Sequence, residues 1–393
     1  MVGAGPAGLA TSAALRERGV DHVVLERHEV GHSWRTQRWD SFRLNTPGWC
    51  NLMLGDVERD DYATGQEVVA RLDGLAKDLP VQQYTPVESL DRAGTDYVLR
   101  TPGGELRTPA VVLATGDQNV PRMPAIAQHL PERVQQLHAA EYRNADQLPD
   151  GAVLVVGSAQ SGCQIAEDLV AAGRRVYLAT SRVSRFRWHY RGRDTFEWLA
   201  DAGFFDQRPQ DLEDPAMVHA PQPIVASGGR SLSLQLLGKS GVTLLGRIVS
   251  VDGRTMTFDD SAVANVRFGN EFADRICTMI DRLIEHTGID APAAEPDESG
   301  GPVAVEVGTA LDFHAAGVTS IIWCTGFTGD FSWVHLPVLD DLGLPRHEGG
   351  AASEVGLWFV GLKWLSQRKS GILLGFPDDA ATIADQVTAR LAA

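Results

Sequence analysis

Short apolar runs closed by glycine recur along this chain and set its organisation. Met1-Val2 leads into the turn Gly3-Ala4-Gly5-Pro6-Ala7-Gly8, and an Ala-rich helical segment follows. His22-Val23-Val24-Leu25-Glu26 then reads as a short buried strand ending in an acid. This is a strand–helix–strand pattern. A second copy begins at Val153-Leu154-Val155-Val156 and turns at Gly157-Ser158-Ala159-Gln160-Ser161-Gly162. It predicts a helix over about 163–172 and a strand at Arg175-Val176-Tyr177-Leu178-Ala179. Between the copies lies Ala110-Val111-Val112-Leu113-Ala114-Thr115-Gly116, echoed late by Ile321-Ile322-Trp323-Cys324-Thr325-Gly326. Phe272, Ile276, Ile280 and Ile284 share one face of a helix predicted over 270–286. Residues 291–301, rich in Pro, Ala and acids, read as a linker, and 378–391 as a closing helix.

Two such units predict an α/β chain with two Rossmann-like dinucleotide domains, the second inserted into a discontinuous first. The expected spans are 1–145 and 310–393 for the first domain. The second, with a helical insertion, is expected over 146–309.

Charge narrows the partners. The 51 Asp and Glu outnumber the 35 Lys and Arg, for a net charge of -16. A broad nucleic-acid or anionic-membrane surface needs the opposite balance. Cys50, Cys163, Cys277 and Cys324 form no CxxC pair, so free thiols in a reducing cytoplasm are expected. No apolar run reaches the roughly 20 residues of a membrane helix, and no basic leader with a cleavage site opens the chain. The 11 histidines lack metal-ligand spacing, and Ser161 lies outside a GxSxG elbow.

The first turn is a GxGxxG fingerprint. Gly3 permits the tight turn, Gly5 lets backbone approach a pyrophosphate, and Gly8 lets helix pack on strand. The helix start, with Pro6 and Ala7, offers N–H groups to phosphate, and Glu26 stands where a ribose is held. Only Met1 and Val2 precede Gly3, a short stub for a central strand. A late-called start codon or a truncated chain is the expected explanation, and an upstream in-frame apolar strand would support it. In the second turn, Ala159 replaces the middle glycine between Gly157 and Gly162, with Ser161 at its helix start. After the next strand come Thr180, Ser181 and Arg182, with no acid. An acid there would repel a 2′-phosphate, whereas Ser181 and Arg182 can hold one, so NADPH is expected over NADH.

Taken together, Gly3–Gly8, Glu26-Arg27, Gly31-His32-Ser33-Trp34, Ala114-Thr115-Gly116 and the second turn resemble the flavin-containing monooxygenases. The nearest likeness is to bacterial CzcO-like flavoproteins, relatives of Baeyer–Villiger and plant indole-pyruvate monooxygenases. It runs nearly end to end, through 356–362. It implies FAD on the first turn, with Arg27, Ser33, Trp34, Arg35, Thr115, Gly116, Gly361 and Gln367 among its contacts. Of the family fingerprint FxGxxxHxxx followed by an aromatic residue, His138 and Tyr142 match, while Glu132 and Val134 replace Phe and Gly. Asn45, in Phe42-Arg43-Leu44-Asn45-Thr46-Pro47, is the candidate catalytic residue by this resemblance, against a plain turn role. The basic-aromatic segment 185–194 reads equally as nicotinamide and substrate contacts or as a surface loop paired with acids.

The implied cycle passes hydride from NADPH to flavin, forms a C4a-(hydro)peroxide with O2, and inserts one oxygen atom into a small organic substrate. A flavin oxidase or NADPH oxidase releasing H2O2, and a non-catalytic FAD-bound redox sensor, remain as alternatives. Oligomeric state is open, with a homodimer among the options.

Overall fold

The computed structural model describes residues 1–55, 57–226, 228–301 and 309–392. Its first unit is built around the shortest of strands. Val2 bridges Leu25 on one side and Leu113 on the other, both in parallel. Its N–H donates to Val112 O at 2.9 Å, and its carbonyl accepts from Ala114 N at 2.8 Å. Outward from it, Val24–Leu25 pairs with Val81–Gln82. On the other side Val111–Leu113 pairs in parallel with Leu357–Phe359, extended by Ala351–Ala352 and His347–Glu348. The central runs are apolar throughout because both faces of a parallel sheet are covered; Val24, Leu25 and Leu113 are all buried. Helix Pro6–Glu17 lies against the closing helix Phe376–Ala392.

The second unit is a five-stranded parallel sheet. Its order is Thr243–Leu245, Val176–Ala179, Ala152–Val156, Val318–Trp323, Gln135–His138. This moves the expected borders at 145/146 and 309/310. Gln135–His138 lies before the first border and Val318–Trp323 after the second, yet both join this sheet. Ala152–Val156 has two edges to satisfy, and only one is taken by the strand that follows its helix. The return strand Val318–Trp323 fills the other. The chain passes between units where Val120–Pro121 pairs antiparallel with Phe327–Thr328.

Helices start earlier than the apolar pattern indicates. The second-turn helix is Gln160–Ala171, beginning inside the glycine turn. The long helix is Ala262–Thr287, with Val266, Phe272, Ala273, Ile276 and Ile280 buried. Its first turns carry Asn265 and Gly269, which mask the periodicity; Gly269 faces the carbonyl of Val183, where a Cβ would come within 3.3 Å. The helix ends at Gly288 in a left-handed conformation, φ 69°. The 291–301 segment has no regular structure but is pinned by Arg185, which donates to Asp297 at 2.6 Å and to Ser299 Oγ at 2.9 Å. Among the described residues no helix is long and apolar enough to cross a membrane.

Helix Gly65–Ala76 carries a complete capping box, with Thr64 and Glu67 each bonding the other's backbone N–H. Thr64→Ala is expected to lower stability by about 1 kcal/mol, read as a fall in thermal midpoint with flavin content unchanged.

Candidate active site

The first glycine turn is shaped by what its neighbours forbid. Gly3 has φ 104°, and a Cβ there would sit 2.6 Å from Ala114 O. A Cβ on Gly8 would fall onto the Gly3 carbonyl oxygen. A Cβ on Gly5 would meet nothing within 4 Å. So two glycines seal strand to helix, and the third faces open space. The helix behind it has no side-chain cap, unlike helix Gly65–Ala76. Its first-turn N–H groups meet no capping side chain, the arrangement also seen at phosphate-binding helix starts. Glu26 is anchored beside the turn, with Oε2 accepting from Ala4 N at 2.7 Å and Oε1 from His28 N at 2.9 Å. Gly361, φ 81°, comes so close to Ala7 that a Cβ would lie 2.8 Å from it. At the end of the adjoining strand, beside Gly116, Thr115 Oγ1 and Asn119 Oδ1 are buried without partners among the described residues.

The second turn repeats this geometry. A Cβ on Gly157 (φ 103°) would sit 2.5 Å from Cys324 O, and one on Gly162 would fall onto the Gly157 carbonyl oxygen. Cys324 therefore stands to this turn as Ala114 stands to the first, which makes the late Cys324-Thr325-Gly326 echo a structural counterpart in the other unit. The helix is again uncapped, starting after Ala159 with Gln160 and Ser161. Ser158 Oγ accepts from Ser181 N at 2.9 Å, tying the exposed pair Ser181 and Arg182 to the turn. No carboxylate forms an ion pair with Arg182 among the described residues.

Between the turns, Ser41 and Asn45 of the first unit meet the second unit's helix. Asn45 Oδ1 accepts from Gln164 Nε2 at 2.8 Å. Asp168, one turn further along, accepts from Ser41 Oγ at 2.5 Å and from Tyr142 Oη at 2.6 Å. Tyr142 is fully buried, and burial followed by Asp168 pushes its pKa up, so it stays a phenol. His138 accepts from Ala140 N at Nδ1, 3.1 Å, so its Nε2–H donates to Gly326 O, 3.0 Å. Burial lowers its pKa and keeps it neutral. The surviving half of the fingerprint thus bonds Gly326, beyond Cys324, and Asp168 on the second-turn helix.

Gln164 and Asp168 were not singled out from the sequence. The available signal was Gln160, Gln164 and Asp168 at every fourth position of the second-turn helix, a polar stripe on one face.

Other expected contacts are placed less directly. Trp34 is partly buried, edge-on to Phe42 at 6.0 Å, with the Arg38 guanidinium 4.8 Å from its ring centre. Ser33 offers its carbonyl to Gln37 N at 3.1 Å. Arg27 forms no ion pair among the described residues. Arg35 pairs with Asp73 at 2.5 and 2.6 Å, which commits one edge of its guanidinium to the protein. The 185–194 cations find acids: Arg185 with Asp297, Arg191 with Asp281, Arg193 with Glu197 and Asp201. That favours the paired-loop reading of this segment.

Gln367 lies in the loop before the closing helix, its N–H donating to Ser370 Oγ at 3.2 Å. Asp379 is buried under this loop; its Oδ1 accepts from Ser366 and Ser370, while Oδ2 has no partner among the described residues. Burial raises its pKa. The folded value therefore exceeds the unfolded one. The ionised form carries a penalty that is absent below the ordinary carboxylate range and grows as pH rises through the raised value. Asp379→Asn is expected to raise the thermal midpoint by about 1–2 °C near neutral pH and to give no gain near pH ~3, below the ordinary aspartate value.

The four cysteines are unpaired, and burial raises the pKa of every one. None is a thiolate poised for disulfide exchange.

Residues 1–199 match the family model described as pyridine nucleotide-disulphide oxidoreductase. The chain belongs to this family. It is an oxidoreductase, and its relatives agree with the monooxygenase resemblance of the motifs. It is 27% identical over 395 residues to an uncharacterized CzcO-like oxidoreductase of Geobacillus kaustophilus, covering 98% of this chain and 97% of that one. Over 184 residues, 44% of this chain and 45% of the relative, it is 33% identical to rice indole-3-pyruvate monooxygenase YUCCA1. Its fold is shared with a flavin-containing monooxygenase from Stenotrophomonas maltophilia at TM-score 0.67 and 19% identity, over 99% and 97% of the two chains.

Proposed function

We propose that this chain is an FAD- and NADPH-dependent monooxygenase that inserts one atom of O2 into a small organic substrate. The observation that carries the reading is the duplication of an uncapped helix start behind a glycine seal, once against Ala114 and once against Cys324. Two such cradles suit two dinucleotides. The resemblance to flavin monooxygenases assigns FAD to the first.

The residues fit both groups. At the first cradle the N–H groups of Ala7 and Gly8 and the positive helix end meet a pyrophosphate, while Glu26 accepts from a ribose. At the second, Ser161 and Gly162 serve the same purpose, and Ser181 and Arg182 receive a 2′-phosphate. Bound flavin supplies hydride acceptance and oxygen activation. The chain's part is to hold the two nucleotides and to present Asn45, whose amide can donate to an oxygen at the reacting face. Raised cysteine pKa values weigh against disulfide reduction.

The test is direct. The purified protein is expected to carry a flavin spectrum, to bleach anaerobically with NADPH, and to transfer label from isotopic dioxygen to a carbonyl, amine or sulfide compound, read by mass spectrometry. Peroxide release without labelled product across that panel would point to the oxidase alternative. A flavin that NADPH never reduces would leave only the sensor.

A further inference from the structure

The hydrogen bonds around Gln164 fix the orientation of two amides without reference to any ligand. A backbone carbonyl can only accept. Val225 O lies 3.0 Å from one end of the Gln164 amide, so that end is Nε2. The same Nε2 lies 2.8 Å from Asn45, so the Asn45 atom facing it is Oδ1. The Asn45 Nδ2 group therefore points the other way, and it has no hydrogen-bond partner among the described residues. Gln160, at the mouth of the second turn, is held by the same residue: it donates to Val225 O and accepts from Val225 N at 3.1 Å. Gln164 itself is 3% exposed, and its Oε1 is buried with no partner. An amide so buried and only half satisfied costs free energy that a packing role alone does not return.

We propose that Gln164 is a positioning residue that turns the Asn45 amide so that its N–H2, not its carbonyl, faces the flavin site, and thereby ties the nicotinamide-nucleotide helix to oxygen chemistry on the flavin. This rests on the monooxygenase reading above. The chain Gln160–Val225–Gln164–Asn45 runs from the second cradle into the first unit through hydrogen bonds whose polarity is set by one backbone carbonyl. A donor at Asn45 can bond an oxygen on the flavin face; an acceptor there would repel it.

Three variants separate polarity from packing. Gln164→Glu cannot donate, so Asn45 turns over to offer Nδ2 to the new carboxylate and shows its carbonyl to the site. Gln164→Met removes the constraint with little change in volume. Asn45→Asp keeps the acceptor for Gln164 but loses the donor. Each is measured for flavin content, for the absorbance spectrum of the bound oxidised flavin, for its anaerobic reduction rate by NADPH, and for the share of NADPH oxidised that appears as H2O2.

The expected result is flavin content and reduction rate within about twofold of the parent in the two Gln164 variants, with a shifted flavin spectrum and peroxide release raised at least about fivefold in all three. Gln164→Glu combined with Asn45→Asp is expected to be no worse than either alone, because both remove the same donor. Parental spectrum and peroxide release in both Gln164 variants, with Asn45→Asp impaired, would overturn the proposal and leave the monooxygenase reading intact. A parent that binds flavin but is not reduced by NADPH would remove both.

Discussion

Gly8→Ala is expected to yield a colourless protein, whereas Gly162→Ala is expected to yield a yellow one that NADPH bleaches poorly. The two substitutions are chemically identical and geometrically equivalent. Each puts a Cβ onto the carbonyl oxygen of the turn's first glycine, Gly3 in one case and Gly157 in the other. Neither turn can yield, because Gly3 is itself wedged against Ala114 O and Gly157 against Cys324 O. Relief requires the helix to lift off its strand, which carries its first-turn N–H groups away from the phosphates. Overpacking of this kind costs about 3 kcal/mol, on the order of a hundredfold in affinity for the nucleotide concerned. Absorbance after desalting reads the first, and anaerobic titration with NADPH reads the second. Loss of flavin from Gly162→Ala with retention in Gly8→Ala would reverse the assignment of the two cradles. Gly5→Ala serves as the control for folding: its Cβ enters open space, so the protein should fold and lose flavin only.

Arg182→Glu should change the choice of nicotinamide nucleotide more than the rate with the better one. Arg182 is exposed, without an ion-pair partner among the described residues, and follows Ser181, which is fastened to the second turn through Ser158. A charge-assisted bond to a 2′-phosphate contributes about 1.5–3 kcal/mol, and a carboxylate in its place adds repulsion. The KM for NADPH is expected to rise roughly 10–100-fold, with that for NADH changed less than about threefold. Equal effects on both nucleotides would mean that Arg182 does not meet the 2′-phosphate. Raised salt should weaken NADPH binding to the parent and spare the variant, since an exposed contact is screened.

Both glycine turns, their helices and the following strands were legible in the sequence because each depends on local chemistry. A left-handed φ, a small residue for close approach and an apolar run are written in consecutive residues. The likeness of Ala114-Thr115-Gly116 to Cys324-Thr325-Gly326 was legible too, but its meaning was not. Sequence alone puts both in the flanks of the first domain, whereas sheet pairing puts the strand that leads into the second beside Ala152–Val156 of the second unit. The borders moved for the same reason: which edge a strand such as Gln135–His138 fills depends on what else competes for it.

The site divides along the same line. The proposed phosphate contacts at glycines 3, 5, 8, 157 and 162, with Glu26, Ser181 and Arg182, are read from local motifs, and a net charge of -16 argues against a broad polyanion-binding surface. Tertiary structure decided how the halves meet. Gln164 lies 119 residues from Asn45 and 61 from Val225, and Asp168 lies 127 residues from Ser41. The polarity of an amide depends on atoms brought beside it by folding, and no local pattern encodes it. Backbone geometry short in range was settled by residue type; orientation at the junction of two units was settled by packing between segments far apart in the chain.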